Sequence, residues 1–199
     1  MVNDAHIISP FIEIIYAKEL EAKTKNKEFL DKALWVKDNH PTNNSWRCNT
    51  YSSINTTYKL LEDDLFKGLV EECKGHVKEF AKHYGVLVNE IYVTDAWVNV
   101  AGEGAYQEYH VHPGVHFSMC YYINTPAESG NIVFRSHEAD KDMFPLPTPQ
   151  TTTHPASKTC SLTAIAGGVI IFRANLPHMV ELNKSTEPRV GVSMNFVIR

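Results

Sequence analysis

No apolar run in this sequence approaches the roughly 20 residues that a membrane-crossing helix needs. Neither sign of charge dominates: 19 Lys and Arg stand against 23 Asp and Glu, a net of -4. Bulk attraction to nucleic acid or to an anionic membrane is therefore excluded. The four cysteines, Cys48, Cys73, Cys120 and Cys160, are scattered and form no C-x-x-C pair. They read as reduced core or surface thiols, not as a disulfide framework. The opening, MVNDAHIISPF, lacks the basic and apolar regions of a signal peptide, so a cytoplasmic location is expected. The sequons at Asn43, Asn55 and Asn183 then carry little meaning. No internal repeat and no low-complexity linker divides the chain.

What is present fits a globular protein with a substantial core: 199 residues, 43% hydrophobic and 21% charged. In Ala17 to Lys37, the residues Leu20, Phe29, Ala33 and Val36 recur at helical spacing among charges. From Leu61 to Tyr84 a clearer stripe follows, with Leu65, Leu69, Cys73, Val77, Phe80, Ala81 and Tyr84 on one face and a stop at Gly85. Beyond Gly85 the period changes to two. NEIYVTDAWVNV, HFSMCYYIN, NIVFRS, CSLTAIA, GVIIFR and RVGVSMNFVI all alternate between Gly, Pro and Asn turns. The pattern predicts an antiparallel sandwich or barrel behind N-terminal helices, an α+β fold with the sheet as its functional body. One domain over 1–199 is expected, with 1–90 mainly helical support and 91–199 the β core. The Pro-rich stretch from Ser136 to Thr159 reads as a binding loop or lid.

YHVHPGVHFSMCYYIN, residues 109–124, holds three histidines in seven residues. Strand side chains alternate, so His110 and His112 share a face with Cα atoms about 7 Å apart. That spacing suits two imidazoles converging on one ion; a solvated His-rich loop is the alternative. Extended structure resuming after Pro113-Gly114 puts Ser118, Cys120 and Tyr122 on one face and Phe117, Met119 and Tyr121 on an apolar other face. His116 reads as a cavity or surface residue. In the last strand Arg189, Gly191, Ser193 and Asn195 face one way, and Val190, Val192, Met194 and Phe196 the other. A buried arginine is costly unless it meets an anion or water. A cavity with Arg189 aimed at a bound carboxylate resolves that cost, as would a structural ion pair with Glu181. His178 lies behind Leu176-Pro177, a rigid setting for a ligand arriving from the opposite sheet.

In this order the residues resemble the non-haem Fe(II)/2-oxoglutarate-dependent oxygenases, in particular the prolyl-hydroxylase-like branch. That superfamily shows His-x-Asp/Glu, a distal His, and an Arg about one strand later. Here His110 and His178 take the histidine positions and Arg189 follows eleven residues on. Within the superfamily, WVNV, the H-x-H-P-G turn, CYYIN and GNIVF, followed by RVGVSMNF, look like one group of oxygenases over about Asp95 to Arg199. The resemblance implies a double-stranded β-helix (jelly roll) with the N-terminal helices packed on one sheet. It implies Fe(II) held by His110, His112 and His178, and 2-oxoglutarate as cosubstrate, with no catalytic side chain beyond the metal centre. Arg189 and Tyr122 would hold the far carboxylate, and Ser193, Asn195 and Asn99 are candidates to contact the cosubstrate or to support the metal ligands. The implied reaction consumes O2, releases succinate and CO2, and hydroxylates a small-molecule or peptide substrate.

One position departs from the superfamily pattern: residue 112 is His, where a carboxylate is usual. Three neutral imidazoles leave the centre more positive by about one unit of charge. Glu108 or Asp140 could instead complete the set, with His112 only lining the cavity. Two other classes stay open. Gly104, five residues and then His-x-His resembles the start of a cupin motif, whose metalloenzymes need no 2-oxoglutarate, although His116 stands near the place of the usual glutamate. A non-catalytic jelly-roll binding module is the third. His137 and His154 fall in the long loop, which with residues 43–57 is expected to shape the cavity mouth.

Overall fold

The computed structural model describes residues 12–42, 48–139, 147 and 157–199. It is mostly β-sheet with two α-helices. The helices are α1 (Asn26–Asn39) and α2 (Lys67–Lys82). Along α1, Phe29, Ala33 and Val36 recur every three or four residues and are the buried ones. On α2 the buried stripe is Leu69, Val70, Cys73, Val77, Phe80 and Ala81. After α2 the chain turns at Gly85, whose φ of 70° lies in the left-handed region that favours glycine.

The strands are β1 (Tyr16–Glu19), β2 (Thr50–Ser52), β3 (Ile91–Ala101), β4 (Gln107–His110) and β5 (Phe117–Asn124). They continue with β6 (Ile132–Arg135), β7 (Thr159–Leu162), β8 (Gly168–Arg173), β9 (His178–Val180) and β10 (Arg189–Ile198). One sheet has the order β1-β8-β5-β10-β3-β2 and the other β4-β9-β6-β7; every pairing is antiparallel.

Parity decides what each face of the larger sheet meets. Phe117, Met119 and Tyr121 of β5, with Val190, Val192, Met194 and Phe196 of β10, join the helix residues in one buried cluster. The ring of Phe29 meets Tyr121 edge-on at 6.2 Å, and Phe80 lies 5.4 Å from Phe117. Each such buried side chain contributes roughly 1.5–3 kcal/mol relative to exposure. The opposite face looks toward the smaller sheet. There Tyr122, Ile170 and Phe172 pack with Ile132, Phe134 and Leu176 between the sheets. Tyr122, Ile132 and Phe172 of this cluster also line a cavity.

Two expectations change. The helix expected over Ala17 to Lys37 starts only at Asn26, because Tyr16–Glu19 extends the larger sheet by pairing with Gly168–Ile171. Leu20, 1% exposed, then anchors the turn into the helix, with its N–H on Gly167 O at 2.9 Å. The helix expected from Leu61 begins at Lys67. Asp63 interrupts it: its carboxylate accepts from Leu65 N–H at 3.0 Å and pairs with Lys32 at 3.0 Å, which holds two short 3-10 turns instead. Among the described residues no helix is long and apolar enough to cross a membrane.

Candidate metal centre

His110 is the last residue of β4, and its Cα partner across the ladder is His178, the first residue of β9. Directly opposed side chains on one sheet face touch, and these two rings lie 4.2 Å apart. His112 sits two residues past the end of β4. Its backbone N–H donates to Ala174 O at 2.8 Å, and the turn that follows closes through Gly114 at φ 85°. His112 Nε2 thereby comes within 3.3 Å of His178 Nε2. One ligand atom from each of the three histidines lies within 4.8 Å of the others, and among the described residues this is the group able to hold a metal.

Hydrogen bonds fix which nitrogens face the centre. His110 Nδ1 is 2.7 Å from Glu108 O and His178 Nδ1 is 2.9 Å from Leu176 O. A carbonyl only accepts, so both Nδ1 atoms carry the proton and both Nε2 lone pairs are free to ligate. Burial lowers the basicity of all three rings. It pushes His178 down to about 3, with further lowering by His110 and His112. It pushes His112 down to about 4, with His110 adding to the effect; His110 shifts the same way. Three neutral imidazoles, held rigidly with facing lone pairs, fit a first-row divalent ion. The carboxylate alternative finds no support in Glu108, which contributes its backbone carbonyl and stands outside the three-residue group. Asp140 lies outside the described residues.

The centre opens on a cavity of about 220 Å³. Its lining brings together His110, His112, His178, Arg189, Tyr122, Ser193 and Asn99. Arg189 is 7% exposed, and its Nη1 donates to Ser129 O and, at 3.4 Å, to Glu181 O. The expected alternative of an ion pair with Glu181 is replaced by this backbone contact; the Glu181 carboxylate accepts instead from Asn131 N–H at 3.0 Å. Trp97 Nε1 donates to Asn99 Oδ1 at 3.1 Å, and Asn99 Nδ2 donates to Ser193 Oγ at 2.9 Å. That chain fixes the amide's orientation. Burial raises the Tyr122 phenol well above its usual value, against the pull of Arg189, so its hydroxyl stays a neutral donor. The thiol of Cys120 beside it is pushed up to about 11 by burial, so it stays protonated.

Asn195 lies outside this lining. Its Oδ1 accepts from Ser118 Oγ at 2.7 Å, one step further along the same sheet face. His116 is a surface residue whose Nδ1 accepts from Ile198 N–H at 3.0 Å. His137 lies 3.7 Å from Glu13, and His154 falls outside the described residues. Of the segments expected at the mouth, Thr50, Ser52 and Ile54 line the cavity, while 43–47, 140–146 and 148–156 lie outside the described residues.

Two glycines have a packing role that the sequence pattern alone does not show. A Cβ at Gly191 would meet Tyr121 O at 2.8 Å and Cys120 Sγ at 3.2 Å, where the β10–β5 register shifts between Val190 and Gly191. Gly130, at φ 86°, would place a Cβ 2.6 Å from Glu181 O and 3.0 Å from Arg189 Nη1. Gly130 lets the turn approach the arginine, and Gly191, which lines the cavity, lets β10 approach β5. The S-G-N turn and the R-x-G-x-S strand carried the signal, but only the neighbouring strand shows why glycine is needed there.

The family model described as "Putative 2OG-Fe(II) oxygenase" matches residues 95–195, which run from within β3 almost to the end of β10. Among curated proteins none matches the sequence. Among solved structures, the non-heme alpha ketoglutarate dependent epimerase SnoN from nogalamycin biosynthesis superposes with a TM-score of 0.67. The identity is 14%, covering 93% of this chain and 76% of that one. A Pseudomonas putida prolyl-4-hydroxylase gives 0.64 at 10% identity, covering 94% of each chain. SnoN in complex with Fe3+, alpha ketoglutarate and nogalamycin RO gives 0.62 at 14% identity, covering 93% of this chain and 79% of that one. At these identities the likeness shows a shared fold.

Proposed function

Since the chain belongs to the 2OG-Fe(II) oxygenase family, we propose that it is a non-haem Fe(II)/2-oxoglutarate-dependent dioxygenase that hydroxylates a small-molecule or peptide substrate. Its frame is a double-stranded β-helix formed by β3 to β10: β3, β5, β8 and β10 lie in the larger sheet and β4, β6, β7 and β9 in the smaller. The helices brace the larger sheet, and residues 1–199 act as one domain. The observation that carries the reading is the convergence of three neutral imidazoles, from β4, the turn after it and β9, above a cavity that Arg189 lines.

His110, His112 and His178 would hold the metal through their inward nitrogens. Once bound, Fe(II) and 2-oxoglutarate supply O2 activation coupled to oxidative decarboxylation of the cosubstrate to succinate and CO2. The protein's part is binding and exclusion. Arg189 presents a planar fork of donors to the far carboxylate, a geometry that lysine would not reproduce. Tyr122 donates its hydroxyl to the same group, and the Trp97–Asn99–Ser193 chain orients polar atoms on the cavity wall. Ile132, Phe172 and Val180 line the cavity with apolar surface and keep water from the charged contacts.

The test is a 2-oxoglutarate titration of the anaerobic Fe(II) protein, followed by its visible metal-to-ligand charge-transfer band. Wild type should saturate. Arg189→Gln should bind about 100-fold more weakly, the range for removing one partner of a buried charge pair. Absence of the band in iron-loaded wild type, or equal affinity in the variant, would overturn the assignment. The first outcome would favour a three-histidine metalloenzyme that uses no 2-oxoglutarate.

A further inference from the structure

We propose a second binding site, for a small anion with an apolar or aromatic body such as an aryl carboxylate, in a pocket beside the C-terminal end of α2. The pocket has a volume of about 290 Å³ and shares no lining residue with the metal cavity. Tyr84, Val86, Phe117 and Ile198 supply apolar walls, and Arg173, Arg199 and His116 supply the polar groups.

The donors are what make it a site. The Arg173 guanidinium lies over the Tyr84 ring at 5.6 Å and over Phe117 at 5.9 Å. Stacking on ring faces leaves its in-plane N–H groups directed sideways. Its Nε is buried and has no hydrogen-bond partner among the described residues. Because Nε is closed to solvent, an anion in the pocket meets the terminal N–H groups of the fork. Arg199 extends from the end of the last strand and lies 5.4 Å from the Tyr92 ring. His116 accepts at Nδ1 from Ile198 N–H, so its neutral ring carries the proton on Nε2 and offers a further donor. Of the nearby acids, Glu90 accepts from the Tyr92 hydroxyl, while Glu13 lies against His137 and its charge also reaches Tyr84. Among the described residues no carboxylate pairs with Arg173 or Arg199 within 4.0 Å.

Two guanidiniums and an imidazole N–H recognise a carboxylate, and the two rings with Val86 and Ile198 accept a flat apolar body. The backbone ties the pocket to the metal centre. Ala174, next to Arg173, accepts from His112 N–H at 2.8 Å and donates to His116 O at 3.1 Å.

Isothermal titration calorimetry of the full chain with benzoate, and separately with inorganic phosphate, tests the site. Benzoate should bind one to one with a dissociation constant of about 1 mM or tighter. Phosphate should bind at least about tenfold more weakly, since it cannot use the rings. Arg173→Gln should weaken benzoate by about tenfold or more, and Arg189→Gln should leave it unchanged. Arg199→Gln, at an exposed residue, should weaken benzoate severalfold and keeps the test available if Arg173→Gln does not fold. No saturable benzoate binding, phosphate binding as tight as benzoate, or unchanged affinity in Arg199→Gln would overturn the proposal.

Discussion

Acid should destabilise the metal-free protein by an amount set by the buried imidazoles. In the unfolded chain each titrates near the ordinary value of 6.5, whereas in the folded state His178 sits at about 3 and His112 at about 4. Between those values the unfolded chain binds protons that the native state refuses. The stability contributed by keeping these rings neutral is present above pH 6.5 and is lost as pH falls toward 4 and then 3. At pH 5 the term is 1.5 pH units for each ring, about 2 kcal/mol apiece and about 4 kcal/mol for both. His110 adds in the same direction. For a domain held by about 5–15 kcal/mol that is a large fraction. Urea denaturation of chelator-treated protein at pH 7 and pH 5 measures it. A double variant, His112→Asn with His178→Asn, provides the reference that removes all other titrations. Wild type should lose about 4 kcal/mol more than the variant between the two pH values, a midpoint difference of about 2 M urea. Parallel behaviour would show that these rings protonate as freely in the folded state as outside it, and would refute the buried neutral cluster.

Three further outcomes follow from the same geometry. His178→Ala should abolish iron retention, read by metal analysis after dialysis, while far-UV circular dichroism stays near wild type; unchanged iron content would contradict the ligand set. Gly130→Ala should lower stability by about 1–3 kcal/mol, because the left-handed backbone and the contacts with Glu181 O and Arg189 Nη1 both resist a methyl group. It should also weaken 2-oxoglutarate binding; an unaltered titration would mean that the arginine's position does not depend on this turn. His112→Asp adds one negative charge to the ligand set and should raise affinity for divalent iron, measured by competition with a chromophoric chelator; a weaker site would show that the native imidazole is not the ligand at that position.

How much of this was legible in the sequence depends on the range of the interaction that fixes each feature. Two-residue alternation is local, so the division of β5 into Cys120 and Tyr122 against Phe117, Met119 and Tyr121 was readable, as was that of β10. The same holds for the α2 stripe, set by the chain's own helical period. The strands outside the alternating segments, β1, β2 and β9, are three or four residues long. Too short to show a period, they exist only because a partner strand supplies their hydrogen bonds. The cross-strand pairing of His110 with His178 belongs to this second kind: order in the chain suggested two ligands, but only the β4–β9 register makes them neighbours.

The same distinction explains His112. Strand parity predicts its place beside His110 for a reason that does not operate in the structure, since β4 ends at His110. What aims its ring is the backbone bond to Ala174, a residue that follows Arg173 at the end of β8. His112 is therefore tied to the end of a strand of the larger sheet, while His110 and His178 belong to the smaller one. Any shift between the sheets has to move one nitrogen relative to the other two. In the proposed site, metal binding then depends on how firmly the sheets are packed, through Tyr122 and Phe172 against Ile132 and Phe134, as well as on the ligands. In these terms Phe172→Ala is a metal-site mutation although its side chain carries no ligand atom. It should loosen iron binding along with stability, whereas a truncation of similar size on the helix side, Phe80→Ala, should cost stability alone.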